Sequence, residues 1–91
     1  MCAAECEIKI NELSEQINRL VKEKEDCIVQ RRNITNKEKI SDAEIIEADV
    51  MMERIYALRE QLADLIDEKF NLEHWRASVN QAFCIAYLQK K

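Results

Sequence analysis

Apolar residues in the first third of the chain recur in alternating steps of four and three. This register contains Cys6, Ile10, Leu13, Ile17, Leu20, Cys27 and Ile34. Lys24 and Arg31 occupy its two remaining positions. Such a heptad seam is typical of an amphipathic helix that packs along one side. The pattern predicts a helix over residues 5–35, about 45 Å long.

The seam breaks over residues 36–41, and a new helix start follows. Ser41 and Glu44 have the spacing of a capping box, in which each side chain satisfies a backbone N–H at the start of a helix. The break contains neither glycine nor proline, so an uninterrupted helix with a polar patch remains an alternative. We expect a connection over 36–41 and a second helix over 42–89, about 70 Å long.

A second seam follows this break. It contains Met51, Ile55, Leu58, Leu62, Leu65, Leu72, Val79, Phe83 and Ala86. Lys69 and Arg76 interrupt it, and they would help to set the pairing register together with Lys24 and Arg31. The chain has no glycine and no proline, which disfavours tight turns and phosphate-binding loops. We therefore predict one all-α domain over residues 1–91, a two-helix antiparallel coiled-coil hairpin with a longer second helix.

The length difference between the helices suggests association. If the chain reverses at residues 36–40, Cys6 lies opposite about residue 70, and the segment after Leu72 has no intramolecular partner. Burying a large apolar side chain is worth ~1.5–3 kcal/mol, and that segment is rich in such residues. We expect a homodimer, with a four-helix bundle as the simplest closed form.

Two sets of residues are candidates for these contacts. The predicted oligomer seam is Ile10, Leu13, Ile17, Leu20, Ile55, Leu58, Leu62, Leu65 and Leu72. The predicted surface for another protein is Trp75, Val79, Phe83, Tyr87 and Leu88 on the C-terminal helix. The latter residues are alternatively part of the homodimer itself.

Charge excludes some partners. Eighteen acidic and fourteen basic residues give a net charge of −4, which disfavours nucleic acid because its binding needs excess lysine and arginine. Arg31, Arg32, Lys37 and Lys39 still form a small basic cluster near the break, where a phosphate or an acidic partner could bind. No apolar run reaches the ~20 residues that span a bilayer, so we expect a cytoplasmic protein without membrane contact.

The candidate chemistry is weak. Cys2 and Cys6 are four residues apart, but a structural zinc site needs further ligands. Asp64, Asp67, Asn71 and His74 share a helix face. The residue three before His74 is Asn71 rather than glutamate, so the Glu-x-x-His pattern of di-metal bundles is absent. Cys84 is flanked by Phe83 and Ile85, an environment that disfavours a reactive thiolate. We expect reduced thiols, no cofactor, no metal and no catalytic residue.

The sequence thus predicts a non-catalytic protein–protein interaction module, a small regulator, inhibitor or adaptor acting through its long second helix. The main alternative is a structural coiled-coil subunit of a larger assembly. Nucleic-acid binding and a metal-binding helical bundle are less favoured alternatives.

Overall fold

The chain is an all-α helical hairpin. The computed structural model describes residues 2–89, and it describes side chains for residues 2–79. Helix α1 spans Ala3–Thr35 and helix α2 spans Asp42–Gln89. The hairpin measures 75 × 19 × 15 Å, and its long dimension is the length of α2, about 72 Å at 1.5 Å per residue.

Both helices begin at capping boxes. At α2, the Glu44 amide donates to Ser41 Oγ at 3.2 Å, and the Ser41 amide donates to Glu44 Oε1 at 3.3 Å. This confirms the predicted box. At α1, the Glu5 amide donates to Cys2 Sγ, and the Cys2 amide donates to Glu5 Oε2. Because cysteine is not a usual N-cap residue, the sequence pattern did not reveal this cap. The prediction therefore placed the start of α1 two residues too late.

A single buried stripe lies between the helices. Its members are Cys6, Ile10, Leu13, Ile34, Ala48, Ile55, Leu58 and Leu62. They recur at heptad spacing on both helices, so the two seams pack against each other within one chain. The stripe is thin, since two helices enclose each side chain from only two directions.

The stagger of the helices differs slightly from the sequence-based expectation. The Cys6 thiol donates to the Leu72 carbonyl at 3.5 Å, whereas we expected Cys6 opposite residue 70. Arg76 also pairs with Glu7, so α1 covers α2 as far as Arg76. The part of α2 beyond α1, residues 77–89, is the overhang. It is about 20 Å long.

Candidate interaction surfaces

One flank of the hairpin is polar and closed by ion pairs. Lys9 Nζ lies 3.9 Å from Glu68 Oε1, and Arg54 pairs with Glu23. All four residues directly precede seam positions, so they face each other across the same side of the helix–helix contact. Solvent-exposed pairs of this kind contribute ~0–1 kcal/mol each. Their main effect is that these charged side chains already have partners within the single chain.

A groove of about 600 Å³ runs along the polar flank. Five of its seven lining residues are polar or charged, among them Gln16, Glu23 and Gln61, and the other two are Leu20 and Leu65. The groove exposes carbon surface as well as polar groups, so its lining does not select between polar and apolar ligands.

The opposite flank is apolar, and we call it the apolar flank. It comprises Val21, Ile28, Ile45, Met52, Tyr56, Ile66 and Phe70. Val21, Ile28 and Met52 are half-buried, while Ile66 and Phe70 are 50% and 66% exposed. One interhelical ion pair, Glu7–Arg76, lies at the end of this side beside the start of α1; between Val21 and Phe70 the described side chains form none.

A cleft of about 260 Å³ lies in the apolar flank, and we call it the arginine cleft. Its lining residues are Ile28, Arg31, Arg32, Thr35, Met52, Ile55 and Arg59. Among the described side chains, none of the three arginines forms an ion pair. Arg31 Nε is buried and has no hydrogen-bond partner, a costly state for a charged group. The cleft therefore concentrates positive charge that the chain itself leaves uncompensated.

The arginine cleft differs from the basic cluster that the sequence suggests. Lys37 pairs with Glu44 instead. Their hydrogen bond raises the pKa of Lys37 and lowers the pKa of Glu44. Arg59, which sequence analysis missed, joins Arg31 and Arg32 from the other helix. Its guanidinium carbon lies 5.9 Å from the centroid of the Tyr56 ring, because helical side chains lean toward the N-terminus.

The predicted partner-binding residues are only partly described. Trp75, beside the start of α1, is 36% exposed, and Val79, in the overhang, is 38% exposed. The side chains of Phe83, Tyr87 and Leu88 lie outside the described part of the structure. The backbone there continues as helix to Gln89.

The predicted oligomer seam packs inside a single hairpin. Of its members, Ile10, Leu13, Ile55, Leu58 and Leu62 are buried, and Ile17, Leu20, Leu65 and Leu72 are half-buried. These side chains thus contact the other helix of the same chain, and a role between copies stays a prediction. The seam charges differ in environment. Lys69 pairs with Glu73 at 3.7 Å, and the hydrogen bond to Glu7 raises the pKa of Arg76.

The residues considered above as metal ligands or reactive thiols were cysteines, His74 and nearby acidic residues. Cys2, Cys6 and Cys27 are free thiols, and Cys6 is fully buried. His74 stacks on Phe70 with ring centroids 6.4 Å apart. In the part of the chain that the structure describes, no three His, Cys, Asp or Glu residues are grouped so that they could hold a metal ion.

No helix in residues 2–89 combines the length and the apolar character that crossing a membrane requires. Comparisons of the chain with protein-family models, with curated proteins and with solved structures find no match.

Proposed function

We propose that this chain is a non-catalytic protein-interaction module, a small cytoplasmic regulator or adaptor that acts through α2 without a cofactor. One observation carries the proposal: apolar surface is concentrated on α2. Eleven large apolar side chains are exposed within residues 2–79, and eight of them lie on α2. Helix α1 contributes two, Ile8 and Val29.

The energetics favour a partner for this surface. Fully burying a large apolar side chain is worth ~1.5–3 kcal/mol, so covering even a few of these residues would support a stable complex. Trp75 lies beside the start of α1, and Val79 lies in the overhang. A partner helix that continues the path of α1 would extend the seam along α2. Tryptophan is also enriched among the residues that dominate binding energy.

Site-specific photo-crosslinking in the native cell tests the proposal. A photoreactive amino acid replaces Val79 in one variant and Val29 in a matched control, where the native valines are 38% and 52% exposed. We expect a discrete adduct with another protein from position 79 and none from position 29. The same adducts at both positions, or no adduct with another protein at position 79, would contradict the proposal.

A structural role in a larger assembly is the second candidate. The elongated 75 × 19 × 15 Å shape favours it, because a rod with an unpaired helical end suits end-to-end joining. Light scattering of the purified chain separates the two functions. A discrete small species supports a free-standing regulator, whereas concentration-dependent growth into polydisperse species supports an assembly subunit.

A further inference from the structure

The two flanks of the hairpin differ in composition, and the difference indicates that they contact different surroundings. In a two-stranded coiled coil, two apolar positions per heptad suffice, whereas helices of a larger bundle carry a third. The third apolar position appears at Val21, Ile28, Met52 and Ile66, each directly after a seam position. The positions directly before the seam carry the ion pairs of the polar flank. The apolar flank therefore has the composition of a bundle interior.

We propose that a second copy of this chain covers the apolar flank and completes a four-helix bundle. The two-fold axis runs along the bundle, so that α1 of each copy lies on α2 of the other. The proposal deepens the interaction function proposed above and rests on it, because it names one occupant of the surface of α2.

The size of the apolar flank fits a stable dimer. From Ile45 to Phe70 the flank is about 38 Å long at 1.5 Å per residue, and the hairpin is 19 Å wide. Covering it would remove roughly 700 Å² from each copy, close to the ~800 Å² per partner of a standard specific interface.

Charge complementarity selects this occupant and this arrangement. The interhelical pairs Lys9–Glu68 and Glu23–Arg54 define which residues of α1 and α2 lie at the same height. In this register Glu25 of the second copy lies level with Met52, one helical turn from Tyr56. Because helical side chains lean toward the N-terminus of their own helix, the Glu25 carboxylate reaches the level of Tyr56, over which the Arg59 guanidinium lies.

A second pair of opposite charges follows in the same register. Arg32, on the rim of the arginine cleft, lies level with Ile45 of the second copy, and its long side chain leans toward the N-terminus of α1, which brings the guanidinium to the level of Asp49. Glu25 and Asp49 are exposed, and neither forms an ion pair among the described side chains. The two-fold axis produces each of these contacts twice. The second copy thus brings carboxylates to two arginines that the single chain leaves unpaired.

This arrangement also places both overhangs at the same end of the bundle, opposite the two connections. The side of each overhang that continues the α1–α2 contact stays uncovered, because α1 of the same chain begins at Ala3. A protein partner would meet two copies of that surface at once.

Charge reversal with mixing tests the proposal on the full-length chain. Arg59→Glu places two carboxylates against each other across the dimer, and Glu25→Arg places two guanidiniums there. We expect each variant to dimerise at least about tenfold more weakly than the unmodified chain, because like charges that face each other in an interface repel. An equimolar mixture restores both contacts, so a heterodimer of near-native affinity should form.

Sedimentation equilibrium from micromolar to hundreds of micromolar concentrations measures these constants. Arg19→Glu on the polar flank is the matched control, since it makes the same charge change in a residue that also lacks an ion pair. Circular dichroism verifies that each variant remains helical. Recovery in the mixture but in neither variant alone supports the proposal.

Three results would overturn it: an unmodified chain that stays monomeric throughout, an equal effect of Arg19→Glu, or a mixture no tighter than its components. These measurements use only the purified chain, so they are independent of whether it also binds a second kind of protein. A position-79 crosslink to such a protein would stand even if the bundle failed.

Discussion

Replacing Leu58 with alanine tests whether the thin stripe between the helices holds the hairpin together. Leu58 is 0% exposed and lies between Ile55 and Leu62 along α2. Leucine-to-alanine changes in protein cores cost ~2–5 kcal/mol, depending on how far the surroundings collapse. Two helices relax more easily than a multilayered core, so we expect about 3 kcal/mol. That is a large fraction of the ~5–14 kcal/mol typical of a chain of this length.

Urea unfolding followed by far-ultraviolet circular dichroism measures this loss. With a slope of about 1.5 kcal/mol per molar urea, the midpoint should fall by about 2 M. Val50→Ala is the matched control, because Val50 is 59% exposed on the same helix and its truncation should cost less than ~0.5 kcal/mol. Both variants are measured at several chain concentrations, because the midpoint of a monomeric hairpin is independent of concentration whereas that of an associated species is not.

Equal midpoints for Leu58→Ala and Val50→Ala would refute this reasoning. They would mean that the contact between α1 and α2 of one chain contributes no more than a solvent-exposed valine. The assignment of the stripe as the hairpin core would then be wrong.

Two further predictions concern the start of α2. Ser41→Ala removes the acceptor for the Glu44 amide and should cost ~1 kcal/mol, with faster hydrogen exchange confined to the first turn of α2; unchanged exchange there would contradict the cap. Because Lys37 lowers the pKa of Glu44, the contribution of this carboxylate is complete above its ordinary pKa of ~4.3 and is lost as the pH falls through the lower folded value. The difference in melting temperature between the unmodified chain and Glu44→Gln should therefore be constant near neutral pH and shrink in acid, and a difference that persists at low pH would contradict it.

Most of the fold follows from local patterns. Heptad spacing without glycine or proline predicts long helices, because nothing in the chain favours a turn except the polar break. Ser41 and Glu44 mark the start of α2 through hydrogen bonds three residues apart, and such contacts depend only on nearby sequence. The predicted bounds of α2, residues 42–89, therefore agree with those in the structure.

The candidate surfaces were less predictable. The overhang follows from unequal helix lengths, but its beginning depends on the stagger. The stagger is decided by how the whole stripe interdigitates, and it places Cys6 against Leu72 and Glu7 against Arg76. A slip of one heptad is invisible in the sequence, because every seam position would still meet a seam position. A smaller offset depends on how the individual side chains pack, which the pattern does not specify.

Two amphipathic helices, their break and their apolar stripes follow from the sequence, since these features depend on the period of a helix and on short-range capping. Which polar groups meet depends instead on how the two helices pack. Arg59 and Arg31, 28 positions apart in the sequence, line the same cleft, while Lys37 pairs with Glu44. Folding back brings together the ends of side chains from separate helices. Their meeting depends on the stagger and facing of those helices, which no local pattern encodes.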